Sequence, residues 1–445
     1  MTIREKNKMG TMPIPKLLLT MSLPMMISMF IQALYNVVDS LFVANIDGIG
    51  EASLTALALA QPMQMLVISF AVGIGVGINA VLSRSLGEEN YKKADLVIGN
   101  IIIILAVFSL IFFIFSVFLT RNYFEIQTSN QLVIDLGTSY LKIITAFSFA
   151  KLFQIGFERM LQATGRTVLT MISQSTGAFL NILLDYILII RLNMGIEGAA
   201  IATIIAQFVA LLMVISFNIY YNKDININIR HIKANKQILK EIFTIAIPSI
   251  LMQASMSLAG FIYNLILINV SEAAVTANGI YYKFNNFIVM PVFGINNALI
   301  PIISYNFGAK LYQRIKDTIK YSIFYSSIIL VIGFIVVLVF PEFILDMFNA
   351  SSDLKDIGLV AFRILAFHYL IIAISVPLEG ALQALNRNKQ ALLETIIRLM
   401  GVQLPLAYII TLFNNAQYNV WYAAVIAEGV ACIYIVYVYK KIKLD

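Results

Sequence analysis

Asp39 in LYNVVDSLFV and Asp185 in AFLNILLDYIL are carboxylates set inside runs that are otherwise almost wholly apolar. An ionisable side chain at bilayer depth costs roughly 2.5–3.5 kcal/mol on insertion scales, so each is a functional candidate by default. Asn181 stands four residues before Asp185 and shares its helical face. Thr203 lies in the next apolar run. At 1.5 Å per residue, Asp39 falls about 34 Å and Asp185 about 27 Å along helices that start on the inner side, and Thr203 about 10 Å along one that starts outside. The four polar residues therefore share one depth in the outer half. Two carboxylates held close cannot both be ionised cheaply, so one is expected to keep its proton near neutral pH. Such a pair can take up and release H⁺, or hold Na⁺ between Asp39 and Asp185, and so couple an ion gradient to the first helix. The alternative is a hydrogen-bond cluster that only ties three helices together.

The elements that must position these groups are membrane spans. The chain has 445 residues, 60% hydrophobic and only 12% charged, against about 25% charged in a typical soluble domain. This composition excludes a disordered chain, a disulfide scaffold and an ordinary soluble enzyme. One cysteine, Cys432, makes no internal disulfide, and two histidines, His231 and His368, leave little for a metal site. A spanning helix needs about 20 mostly apolar residues. The apolar runs 17–46, 53–84, 93–119, 131–158, 167–191, 196–221, 238–270, 273–305, 317–340, 354–385, 389–413 and 419–441 make twelve. The first run is too long for a signal-peptide core and reads as a retained helix. With both termini cytoplasmic, the inner segments carry 23 Lys and Arg and the outer loops 3, which is the positive-inside pattern. The net charge of +7 is thus a topology signal, and no nucleic-acid partner is expected.

The two halves repeat. At an offset of 221, Gly73, Ser83, Gly87 and Tyr91 fall on Gly294, Ser304, Gly308 and Tyr312; Glu158, Gln162 and Arg166 fall on Glu379, Gln383 and Arg387. Pro24 in TMSLPMMI answers Pro248 in TIAIPSIL. An even number of spans per copy makes the repeats parallel, a transporter architecture. The reading is an all-α integral membrane protein, with twelve helices in two pseudo-symmetric six-helix bundles around a central cavity: an N-lobe at 1–221, a cytoplasmic linker at 222–237 and a C-lobe at 238–445. Pro24 in a span interior removes a helix bond and permits a kink or hinge.

No phosphate-binding loop or hydrolase motif occurs, and the GIGVG at 73–77 reads as close helix packing. No ATP engine, enzyme activity or cofactor is therefore expected. Tyr263 stands opposite Asp39 in the second half, so the ion site is expected once, in the first half. Glu394 and Arg398, four apart, are expected to pair. Glu158 and Glu379 read as inner gate or structural partners of Arg166 and Arg387, whereas Glu428 and Lys151 have no evident partner. Lys283 lies in a polar stripe, NGIYYKFNNF. Met29, Tyr35, Asn36, Gln253, Met256, Tyr282, Lys283 and Met290 are the candidate lining of an adaptable substrate cavity.

Taken together, LYNVVDSLFV, ALALAQPMQ, GINAVLSRSLGE and the QATGRT and QALNRN turns resemble the multidrug and toxic compound extrusion (MATE) family over nearly the whole chain. The resemblance implies a monomeric antiporter in the cytoplasmic membrane that exports lipophilic, often cationic drugs in exchange for H⁺ or Na⁺. In the DinF-type branch a helix-1 aspartate, an Asn-x-x-x-Asp on helix 5 and a helix-6 threonine form a coupling network, which here falls on Asp39, Asn181, Asp185 and Thr203; the helix-1 proline falls on Pro24. The acidic ligands that the other bacterial branch carries on helices 7 and 10 are not matched by Gln253, Tyr263 and His368. A lipid-linked oligosaccharide flippase of the same superfamily is the second reading.

Overall fold

A hydrocarbon environment offers backbone groups no partner, so each span must satisfy its own hydrogen bonds as a helix. The computed structural model describes the chain except residues 1–6, 45, 47, 48, 229–231, 349, 444 and 445 and the side chains of residues 36, 37, 44 and 51. His231 and the side chain of Asn36 lie outside the described residues. The spans are α1 (Ile14–Ala44), α2 (Gly50–Gly87), α3 (Tyr91–Phe118), α4 (Gln131–Ala146 and Ser148–Ala163), α5 (Thr167–Arg191), α6 (Gly195–Tyr220), α7 (Lys236–Ile268), α8 (Glu272–Gly308), α9 (Tyr312–Val339), α10 (Ser352–Ala384), α11 (Asn388–Thr411) and α12 (Ala416–Lys440). Each coincides with one apolar run. One expectation changes: the fourth run is not a single helix but two segments bent by 43° at Phe147. Among the described residues there is no strand.

The chain divides into two compact units, Met1–Thr11 with Ile27–Ile247 and Met12–Met26 with Pro248–Asp445. Two of the three interior boundaries fall within three residues of an aligned proline, Pro24 in α1 and Pro248 in α7. Within the first unit, Gly77 approaches the backbone of α7: an added Cβ would lie 2.8 Å from the Ile242 carbonyl oxygen. Within the second unit, a Cβ at Gly294 of α8 would lie 2.7 Å from the Met26 side chain and 3.1 Å from its backbone nitrogen.

The internal repeat is visible in bonds as well as letters. Ser83 Oγ donates to the Ala163 carbonyl at 3.1 Å, and Ser304 Oγ to the Ala384 carbonyl at 3.3 Å. The turns after α2 and α8 place Glu89 and Lys310 at φ of 55° and 58°; those after α4 and α10 place Gly165 and Asn386 at 79° and 61°. Each pair is 221 residues apart. A left-handed residue closes a helix whose last carbonyls would otherwise lack partners, and Gly and Asn accept it at least cost. Leu110, Phe118, Phe179, Phe261, Leu412 and Ile433 are exposed, as lipid-facing side chains must be.

Two spans change pitch. α5 passes into a π-helical turn at Tyr186–Arg191, and α11 does so at Ile397–Gln403. Such turns splay the backbone and recur at functional sites. Here they begin directly after Asp185 and directly before Arg398.

In the first unit a Cβ at Gly137 would strike the ring of Phe124, which is fully buried. Gly137→Ala is expected to destabilise the protein by about 1–3 kcal/mol through overpacking, read as a lower melting temperature in detergent.

Candidate functional sites in the two bundles

The first site is built by α1, α5 and α6, with α2 and α4 behind it. Asp185 is fully buried and Asn181 nearly so, because both fall on the α5 face that packs against α6. The carboxyls of Asp39 and Asp185 lie within electrostatic range of each other. Among the described residues no N–H or O–H donor reaches Asp39 Oδ1 or either Asp185 oxygen. Asn181 Nδ2 donates to Thr203 Oγ1 at 3.5 Å, and Asn181 Oδ1 is buried without a partner. All four residues picked out by type and depth are therefore brought together by folding.

Two phenols join them that depth arithmetic did not select for this site. Tyr35, one turn before Asp39, and Tyr140 on α4 lie within electrostatic range of both carboxyls. The buried Tyr140 hydroxyl accepts from Gln64 Nε2 of α2 at 3.3 Å. No spacing signal links residue 140 to residue 39; only the packing of α4 does. Beside the cluster lies a small cavity of about 40 Å³, lined by Gln32, Tyr35, Lys151, Gln154, Gln174, Asn181, Thr203 and Gln207 among others. A volume of that size holds water or a bare ion rather than a drug.

Glu158 does not partner Arg166. Its oxygens accept from Gln154 Nε2 at 2.9 Å and Gln174 Nε2 at 2.7 Å, while Arg166 pairs with Asp224 at 3.2 Å. Glu379 likewise accepts from Gln383 Nε2 at 3.1 Å. The inner-gate expectation for the two repeat-related Glu–Arg pairs is thus replaced by Glu–Gln bonding. The reason is register: both arginines sit beyond the turn that ends the preceding helix, outside its polar face.

The second site was not foreseen. Glu394 and Arg398 pair as expected, at 3.3 Å. Glu428 of α12, for which the sequence offered no partner, takes a hydrogen bond from Ser375 Oγ at 2.7 Å, one from Arg398 at 3.3 Å, and lies 3.3 Å from His368 Nε2. Three segments separated by tens of residues meet there, so only the stacking of α10, α11 and α12 reveals it. A cavity of about 630 Å³ opens beside this network. The polar stripe of α8 lines it, including Asn278, Tyr281, Tyr282, Lys283, Asn285 and Asn286, and so does Met256. Met29, Gln253 and Met290 line neither cavity. Among the described residues no group of His, Cys, Asp and Glu has the arrangement of a metal site.

The fold and these sites define a polytopic helical membrane protein of two repeated bundles with buried carboxylates in each. The MatE family model matches residues 24–187 and 248–409, one copy in each half and each starting at an aligned proline, and the chain belongs to that family. It is 27% identical over 416 residues, 93% of this chain and 91% of the relative, to the protein named multidrug export protein MepA of Staphylococcus haemolyticus strain JCSC1435. It superposes with a TM-score of 0.90 on an outward-facing multidrug resistance MATE family transporter of the MOP superfamily, at 24% identity, covering 97% of this chain and 96% of that one. A MATE structure in the bent conformation gives a TM-score of 0.86 at 25% identity, with 95% and 94% covered.

Removing one partner of a buried ion network leaves uncompensated charge and costs about 3–5 kcal/mol. Arg398→Leu, which strips the guanidinium from Glu394 and Glu428, is expected to lower folding stability by that order. A depressed yield of monodisperse protein and a lower melting temperature would show it.

Proposed function

We propose that the protein is a secondary active multidrug antiporter. It exports lipophilic, cationic compounds by alternating access, in exchange for H⁺ or Na⁺ held by Asp39 and Asp185. The observation that carries the reading is the neighbouring pair of carboxyls in which Asp39 Oδ1 and both Asp185 oxygens have no donor among the described residues: two acceptors are reconciled by one shared cation, and H⁺ and Na⁺ are the monovalent candidates small enough for the adjoining cavity. Asn181 and Thr203 supply the neutral dipoles around that ion. Loading and unloading it changes the force between α1 and α5, and Pro24 is the point at which α1 bends in response. The MepA relatives are named as multidrug export proteins, which supports the substrate class.

The orientation places both termini in the cytoplasm, on the positive-inside count, and the transporter works as a monomer in the cytoplasmic membrane. A flippase for lipid-linked oligosaccharides calls for a strongly cationic cavity. The large cavity here sets Glu379, Glu394 and Glu428 against Lys283 and Arg398, so that reading is not favoured.

The test is reconstitution in liposomes with ethidium as cargo, under an imposed pH gradient and then an imposed Na⁺ gradient. One of the two gradients is expected to drive transport. Asp39→Asn and Asp185→Asn are each expected to reduce it by at least about a hundredfold, as loss of an essential ion ligand does. Transport untouched by either substitution would leave the pair as helix glue. The gradient that works names the ion.

A further inference from the structure

The chain just before α1 is not a loose tail. Lys8–Thr11 forms a single helical turn. Asn7 opens it, its Oδ1 accepting from the Met9 backbone N–H at 2.9 Å, as a capping side chain does. The other end of the same amide bonds far along the sequence: Asn7 Nδ2 donates to the Thr164 carbonyl at 3.2 Å. Met9 is fully buried. The tight turn between α4 and α5 is the seat. Gly165 there has a φ of 79°, and a Cβ on it would lie 2.9 Å from Lys8 Cε and 3.6 Å from Met9 Cγ. Lys8 also lies within electrostatic range of Arg166 and Asp224, which pair with each other at 3.2 Å. Burial, with Arg166 beside it, holds the Lys8 ammonium below the usual lysine range. The seat is therefore occupied against an electrostatic cost.

At the next residue the chain changes unit. Met1–Thr11 belongs to the first and Met12–Met26 to the second, an interior boundary that lies outside any span. In the second unit Arg314 Nη2 of α9 donates to the Met12 carbonyl at 2.8 Å, and Arg314 Nε donates to Asn306 Oδ1 at 2.9 Å. Asn306 is fully buried on α8, which fixes the guanidinium in place. Pro13 and Pro15 follow, and their locked φ gives the crossing little slack.

The segment is thus held twice, once in each unit, over the five residues from Asn7 to Met12. Five residues reach at most about 18 Å when fully extended, and roughly 10 Å while the helical turn stays intact. A motion that carries the two anchors farther apart than that has to break one of them. The anchors are unequal. At Met12 a charged donor meets a carbonyl, the stronger kind of hydrogen bond. At Asn7 the polar hold is one neutral hydrogen bond beside a desolvated ammonium. The Asn7 end gives way first.

We propose that residues 7–12 form a strap whose short reach limits how far Thr164 of the first unit and Arg314 of the second can separate, and that its release from the Thr164–Gly165 seat permits the inner side to open. This rests on the alternating-access reading above and deepens it: inner opening is restrained by a device separate from the ion held at Asp39 and Asp185.

The experiment measures distances by double electron–electron resonance on the full chain in nanodiscs. Nitroxides are placed by Lys92→Cys in the first unit and Lys316→Cys in the second, in a Cys432→Ser background; both lysines are exposed. Asn7→Ala removes the cap and the clasp, and is expected to raise the long-distance population about fivefold, as loss of one neutral hydrogen bond does. Inserting Gly-Ser-Gly-Ser between Thr11 and Met12 keeps both anchors and lengthens the strap, and is expected to raise the same population. Two populations in the wild type that neither variant shifts would overturn the strap and leave alternating access intact. A lower melting temperature in Asn7→Ala with the populations unchanged also overturns it, reducing the clasp to a fold-stabilising contact. One unvarying distance in the wild type and both variants, at every pH and Na⁺ concentration, overturns the strap and the alternating-access reading together.

Discussion

Charge has to be compensated where there is no water to do it, and that constraint shapes both bundles. In hydrocarbon a lone carboxylate is costly, and among the described residues the buried acids differ in the kind of neighbour they have. Glu158 has two glutamine amides. Glu428 has a guanidinium, an imidazole and a hydroxyl. Asp39 and Asp185 have chiefly each other. The first two arrangements are satisfied within the protein. The third leaves Asp39 Oδ1 and both Asp185 oxygens without a donor among the described residues, and on that the proposed coupling role rests.

The helices that carry these groups are irregular at the places where charge is held. α5 changes pitch immediately after Asp185, and α11 does so across Arg398. α4 breaks at Phe147, between Tyr140 and Lys151. α1 passes Pro24 a few turns before Asp39. A straight helix repeats its polar face every 3.6 residues along one line. Bends and π-turns re-aim side chains off that line, so groups from four or five helices can converge. The two halves share their turns and their serine–carbonyl clasps almost bond for bond, yet they place their acids differently. The duplicated scaffold is symmetric, and the chemistry on it is not.

That asymmetry gives the two bundles distinct capacities. The first encloses about 40 Å³ next to its carboxyl pair, and the second about 630 Å³ next to its ion network. One volume suits a bare ion and the other an organic molecule.

Composition and periodicity alone determined the membrane class, the twelve spans, the duplication and the choice of Asp39, Asn181, Asp185 and Thr203. Those features follow from local rules: a span is a run of apolar residues, a repeat is an offset, and depth is arithmetic on helical rise. Even the break in α4 lies inside a run whose hydrophobicity was continuous, so its span was legible although its bend was not. The partners of Glu428 and the place of Tyr140 beside the carboxyl pair were decided only by tertiary structure. Each depends on which faces of distant helices meet, and Ser375, Arg398 and Glu428 acquire their relationship from the packing of α10, α11 and α12, to which no spacing along the chain corresponds.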